Sequence, residues 1–472
     1  MSQATSTSMN EHGGTSAGRT VVRAKPLMSM RQILLMNLGF FGIQYSFGMQ
    51  QTAINPIYTY LGASPEELPL LNLAGPITGL LIQPMIGAWS DRTWHPRWGR
   101  RKPFFLVGAI GCSICLFLFP FVSAIWMAAL LLWLLDASNN TAMEPYKAFI
   151  ADRLPPSQLA KGFLAQSFFA GLGITLANLS LVVFQSMISG AMASGIPYWV
   201  VGAFMLGSVC SIATVLVSVI STKELPPSDE ELAALRAEKH GPGKMIGEIK
   251  DAIVDMPVEL RKLSLVYLFQ WFAMNCYWQF ITLSMAQSIW GVDAKSGDLA
   301  HNEGYTQATA WTGMVNGWYN IVTFLVSFAL ASAARKRGAK MVHCVSLLCA
   351  TVGLLIVPHL DNKWLVLVAI TGLGIAWASI LGVPYIMAVR MIPSTRYGVY
   401  MGIINMMIVI PMLIQTVSFS WIYSHLLGDN PNNAITFAAV LLGLAAVAML
   451  WIKEPPIVRD VEDLSTQLPA AH

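Results

Sequence analysis

The 472-residue chain has little charge: 29 Lys and Arg and 25 Asp and Glu, together 11% of the sequence, roughly half the share usual in soluble domains. This excludes a string of water-soluble domains, whose outer faces need charge. Cysteine is also scarce. Cys112, Cys115, Cys210, Cys276, Cys344 and Cys349 lie within or at the start of apolar stretches, in no disulfide framework and no metal-ligand spacing, and read as packing residues. There is no HExxH helix, no Gly-x-Ser-x-Gly turn and no histidine near the buried acid of the fourth span in sequence, so enzyme chemistry, a metal and an organic cofactor are not expected. Residues 1–30 hold no apolar run of the kind that opens a secretory signal and read as a disordered tail rich in Ser, Thr and Gly.

Hydrophobicity takes the place of charge, with 55% of residues apolar. Twelve stretches have the length a helix needs to cross hydrocarbon: residues 32–60, 67–90, 103–122, 125–151, 161–188, 196–221, 262–289, 307–331, 340–358, 364–391, 398–422 and 433–452. Lipid leaves the backbone no hydrogen-bond partner but itself, so these spans form an all-α bundle. Loop by loop, 27 of the 29 basic residues fall on one side, and only Lys295 and Lys363 on the other. Basic residues stay cytoplasmic. Both termini are therefore expected in the cytoplasm, in a multi-pass protein of the cell (inner or plasma) membrane. The net charge of +4 suits anionic headgroups more than nucleic acid.

The composition changes at residues 223–260, where a charged stretch carries Leu232, Leu235, Ile246, Ile249 and Ile253 at amphipathic spacing. It reads as a linker on the membrane surface. It separates a six-helix unit at 31–222 from another at 261–454, followed by a tail at 455–472. The units resemble one another: Pro145-Tyr146-Lys147-Ala148 through Pro155 aligns with Pro384-Tyr385-Ile386-Met387 through Pro393. Duplicated units of this kind hold substrate at their interface near the midplane and alternate access by rocking.

The fourth span carries charge inside an apolar helix: Asp136, Glu144 and Lys147, with Asn140 among them. At 100° per residue Asn140, Glu144 and Lys147 lie about 40°, 80° and 20° round from Asp136, so one face holds all four. Charge at that depth usually serves transport or proton relay. An acid that meets water on one side and then the other can load and release a proton, and Asp136 is placed for this. Glu144 and Lys147 either join it or neutralise one another as an i, i+3 pair. In the second unit Ile375 and Val383 occupy the positions matching Asp136 and Glu144, so titratable coupling belongs to the first.

Uncharged polar residues recur at helical spacing: Gln44, Gln51 and Asn55 in span 1, Asn275 and Gln279 beside Trp271 and Trp278 in span 7, and Asn316, Tyr319 and Asn320 in span 8. Amides bond sugar hydroxyls and rings cover the C–H face of a sugar. The alternative is interhelical glue. After span 2, Asp91 and Arg92 face Arg100 and Arg101 across a short loop, an arrangement that suits an electrostatic latch at the cytoplasmic gate or plain basic anchoring.

These residues resemble a known group. Gly87-x-x-x-Asp91-Arg92 followed by Gly99-Arg100-Arg101 is similar to the signature of the major facilitator superfamily. Arg97 to Phe104, Leu135-Asp136-x-x-Asn139-Asn140 with Pro145-x-Lys147-Ala148, Gly374-x-x-Trp377 to Tyr385 and Gly398 to Asn405 resemble plant sucrose transporters and their animal and bacterial relatives, of the glycoside-pentoside-hexuronide:cation symporter type. The resemblance implies two six-helix bundles, a proton site at Asp136, a sugar contact at Trp377, and cation-coupled uptake of a disaccharide such as sucrose or maltose. Two features depart from it: Glu144 stands where the plant proteins usually have Gly, and span 7 lacks their acidic residues.

The expected protein is a proton-coupled sugar symporter that works as a monomer in the bilayer, with the proton as coupling ion. A sodium-coupled or uncoupled sugar carrier of the same fold is the alternative.

Overall fold

The computed structural model describes residues 25–226, 251, 253–295, 299, 301–391 and 397–453. Most of the expected N-terminal tail, all of the expected C-terminal tail, and the linker positions Leu232, Leu235, Ile246 and Ile249 lie outside these residues. The described part of the N-terminal tail is not loose. Met28 is buried, and its backbone N–H and C=O both bond the Gln158 amide, at 2.9 and 2.8 Å. Ser29 then caps the first helix reciprocally with Gln32.

Among the described residues twelve long helices follow: α1 Met30–Tyr60, α2 Ala74–Arg92, α3 Lys102–Leu118, α4 Ile125–Arg153, α5 Pro156–Met187, α6 Tyr198–Ser221, α7 Val258–Trp290, α8 Glu303–Arg337, α9 Ala339–Ile356, α10 Lys363–Met391, α11 Tyr397–His425 and α12 Pro431–Leu450. The second span differs from one continuous helix. A single turn, Leu68–Leu71, precedes α2 and is set off by Asn72 and Leu73. Local chemistry fixes many of the ends. Pro lies at the start of α5 and α12, where its missing N–H costs nothing. Gly291 closes α7 in the left-handed region at φ 65°.

The two halves repeat one packing scheme. In the first, α1 packs on α5 and α6, α3 on α4 and α6, and α2 on α4; in the second, α7 packs on α11 and α12, α9 on α10 and α12, and α8 on α10. Between the halves α5 meets α8 and α2 meets α11, two contacts that the same six-helix shift exchanges. Small marks of duplication agree. Both α3 and α9 end in a 3-10 turn around a proline, Pro120 and Pro358, and both α4 and α10 carry an internal proline, Pro145 and Pro384.

Large apolar side chains, among them Val107, Ile114, Leu176, Val209, Leu325, Val368 and Val417, face outward. Exposed Trp126, Trp364, Trp421 and Trp451 sit at helix ends, where indole favours the bilayer interface. Eight helices are long and apolar enough to cross a membrane by composition alone. The other four, α1, α4, α7 and α8, are too polar for that test. They bear every candidate coupling or sugar-contact residue except Trp377.

Candidate functional site

Asp136 lies midway along α4 and is 2% exposed. Gln50 Nε2 of α1 donates to Asp136 Oδ1 at 2.7 Å, while the same amide's oxygen accepts from Asn139 at 3.4 Å. Oδ2 has no hydrogen-bond partner among the described residues. Beside it stands Gly75, where a Cβ would come within 3.7 Å of that oxygen. The acid is thus held by one oxygen, with the other left for one more hydrogen.

From Asp136 a chain of amides runs toward the second half. Asn140 Nδ2 donates to the Asp136 carbonyl at 3.0 Å and to Thr78 Oγ1 at 3.1 Å. Gln83 of α2 donates to Asn140 Oδ1 at 2.7 Å, and Asn405 of α11 donates to Gln83 at 3.4 Å. This links the acid's helix to α11 across the seam. Asn140, expected as a sugar contact, serves in this chain. Glu144 and Lys147 pair with each other at 2.9 Å, partly exposed.

A cavity of about 620 Å³ lies between the halves. Gln44, Gln51, Asn320 and Trp377 are on its wall, with Met143, Phe168, Phe324, Ser167, Thr323 and Ser327. Most of the wall, including Met143, Thr323, Ser327 and Leu381, belongs to the parts of α4, α8 and α10 nearer the termini-bearing face, while Gln51 of α1 and Ile174 of α5 lie just past the middle of their helices. Asp136 is not on the wall; the Asn140–Gln83 chain lies between it and the seam. Trp377 is held edge-on by Trp271 and Trp278, with ring centroids 5.7 and 5.4 Å away.

The remaining amides close the opposite side. Asn316 Nδ2 donates to Thr52 Oγ1 at 2.8 Å, Asn316 Oδ1 accepts from Tyr277 at 2.8 Å, and Thr52 in turn donates to Asn178 of α5. Asn55 donates to the Trp278 carbonyl at 3.3 Å and accepts from Asn72 at 2.6 Å. Tyr319 accepts from Trp278 Nε1 at 3.3 Å. Gly313 makes the seal tight, since a Cβ there would meet the Asn178 carbonyl at 2.4 Å. Asn275 and Gln279 turn inward instead. Both bond Gln415 of α11, Asn275 also reaching Thr416, so the structure places them in the interior of the second half and off the cavity wall.

At the termini-bearing face the side chains of Asp91 and Arg92 lie outside the described residues. Among the described residues Arg101 pairs with Asp152 at the end of α4, with Nε to Oδ2 2.8 Å, while Nη1 donates to Ser90 at 2.6 Å. Glu224, just past α6, accepts the backbone N–H groups of Arg100, Arg101 and Lys102 at 2.7 to 2.9 Å. It caps the open N-terminus of α3. Gly99, at φ 79°, is needed there, because a Cβ would fall 2.5 Å from the Glu224 carboxyl carbon.

Sequence reasoning missed Gln50, Thr78, Gln83, Asn178, Asn405, Gln415 and Glu224. Gln83 had a usable signal as a lone amide in an apolar run before Pro84. Gln50 falls on a different face of α1 from Gln44, Gln51 and Asn55, and only the fold shows that this face meets Asp136.

The Major Facilitator Superfamily pattern matches residues 36–416. The rice sucrose transport protein SUT1 (Oryza sativa subsp. japonica) is 25% identical over 91% of this chain and 89% of its own length. The human Proton-associated sugar transporter A is 31% identical over 45% of this chain and 30% of its own. Among solved structures, the nucleoside transporter NupG superposes with a TM-score of 0.65 at 12% identity, covering 90% of this chain and 100% of that one. A two-fold repeated twelve-helix bundle, a cavity at its seam and a family pattern through both halves lead to one assignment: the chain belongs to the major facilitator superfamily and is a membrane transporter.

Proposed function

We propose that this transporter is a proton-coupled symporter that takes up a disaccharide of the sucrose or maltose type. The observation that carries the reading is Asp136, an acid buried inside a membrane helix with one carboxylate oxygen unpartnered and an amide chain leading to the seam. The cavity supports a neutral polyol as cargo. Gln44, Gln51 and Asn320 offer donors and acceptors, and Trp377 offers a ring. The names of the relatives, which are sucrose transport proteins and a proton-associated sugar transporter, point the same way.

With both termini cytoplasmic, the cavity faces the cytoplasm and this is the release state. Sugar and proton enter when the outer seal of Thr52, Asn178, Asn316 and Gly313 opens. Protonated Asp136 lets the loaded carrier rock, and loss of the proton inside frees the sugar. One proton crossing 100 mV supplies about 2.3 kcal/mol, enough for roughly fiftyfold accumulation. A cation bound equally in both states drives nothing, so sugar affinity must depend on the charge of Asp136. The test is uptake of labelled mono- and disaccharides into proteoliposomes with and without an imposed pH gradient. A disaccharide accumulated only with the gradient supports the reading. Accumulation that follows sodium alone, or mere equilibration, favours the sodium-coupled or uncoupled carrier.

A further inference from the structure

The face of the bundle opposite the termini holds a second cavity of about 510 Å³, well within the range of roughly 300–1,000 Å³ typical of small-molecule sites. Its wall includes Tyr60 and Glu66 from the corner between α1 and α2, and Lys295, His301, Tyr423 and Asp429 from the second half. It shares no wall residue with the cavity at the seam.

Three polar atoms on this wall are buried without a hydrogen-bond partner among the described residues: the hydroxyls of Tyr60 and Tyr423, and Asp429 Oδ1. Tyr60 is 3% exposed and Tyr423 2%. Thr306 and Thr309 approach the Tyr60 hydroxyl without reaching good bonding geometry. Folded proteins leave few such atoms, and each calls for an explanation. Three on the wall of one cavity share an explanation if the cavity takes a ligand that bonds all of them.

The chemistry of the wall selects that ligand. A phenol both donates and accepts, and a carboxylate oxygen accepts, which matches hydroxyl groups that do both. Glu66 and Asp429, both on this wall, turn away anions. Lys295 Nζ, 3.9 Å from Asp429 Oδ2, fills the place a small cation would take. A neutral molecule remains. The Tyr60 ring, braced edge-on against Tyr305 at 5.6 Å, offers an apolar face for C–H groups.

We propose that this cavity is an outer docking site for a neutral polyhydroxylated solute, the same class as the cargo and separate from the seam site. It rests on the sugar-transport reading above. Both halves supply its walls, so an occupant sits above the closed outer seal and is positioned to enter when that seal opens.

Equilibrium dialysis of the full chain in detergent with labelled sucrose, and in parallel labelled maltose, tests it. Two molecules of one sugar per chain are expected. The Tyr60→Phe, Tyr423→Phe double variant, and separately Asp429→Asn, should bind one, while Trp377→Ala should keep the outer one. Glu66→Gln, at an exposed position, should weaken the second site severalfold and serves if the tyrosine variant misfolds. One molecule per chain in the wild type, lost in Trp377→Ala, overturns the outer site and leaves the transport reading standing. Two that survive unchanged in Asp429→Asn and Glu66→Gln also overturn it. No binding of either sugar removes both.

Discussion

At the scale of single residues, the proposed function divides the site into groups placed to touch cargo and groups placed to set the charge of one acid. Gln50 belongs to the second set, since its amide is the side-chain donor to Asp136. A hydrogen bond to a charged group contributes about 1.5–3 kcal/mol. Gln50→Ala is therefore expected to lower the accumulation ratio about tenfold while sugar exchange stays nearly unchanged; equal loss of both would make Gln50 a structural residue only. Trp377 belongs to the first set. Trp377→Ala should raise the KM for sugar uptake about tenfold, equivalent to about 1.4 kcal/mol, with a smaller effect on the maximal rate. An unchanged KM would move the cargo elsewhere in the cavity. The buried acid Asp136 stood out in the sequence because a charge inside an apolar run is rare. The amides that line the cavity were only half legible. Gln44, Gln51 and Asn320 reach the cavity, whereas Asn275 and Gln279, equally polar and equally periodic, bond Gln415 within their own half. Helical spacing shows that residues share a face; which neighbour that face meets is set by tertiary packing.

At the scale of elements, two close contacts control how the helices move and hold. Gly313 lets α8 lie against the backbone of α5 on the sealed side. A leucine there cannot fit without parting the helices, so Gly313→Leu should favour the outward-open arrangement. Cysteines placed on the outer halves of α5 and α8 should then label faster with a membrane-impermeant thiol reagent; unchanged labelling would mean that the seal does not depend on this contact. Glu224 caps α3 through three backbone N–H groups. Glu224→Ala should lower the stability of the first half by about 1–2 kcal/mol, the usual cost of a lost cap, read as a fall in melting temperature in detergent. The sequence showed the helices well, because apolar length and flanking Pro and Gly are local signals. It did not show that Asn72 and Leu73 interrupt the second span, nor that Arg101 pairs with Asp152. Both outcomes depend on partners far away in the chain.

At the scale of the whole molecule, duplication explains the architecture. Six helices pack the same way twice, and the contacts α5 to α8 and α2 to α11 are copies of one another. Such a seam can open on either side at similar cost, as alternating access requires. Which side is closed here was not legible in the sequence, because both arrangements use the same residues. Direction must come from an asymmetric element, and the matching positions of the second half, Ile375 and Val383, cannot titrate. On the proposed function, Asp136 carries the coupling proton. The direct measurement compares wild type and Asp136→Asn in proteoliposomes, following labelled sugar accumulation under an inward proton gradient and sugar exchange without one. The account predicts that the variant loses accumulation and keeps part of the exchange. Full gradient-driven accumulation by Asp136→Asn would contradict it.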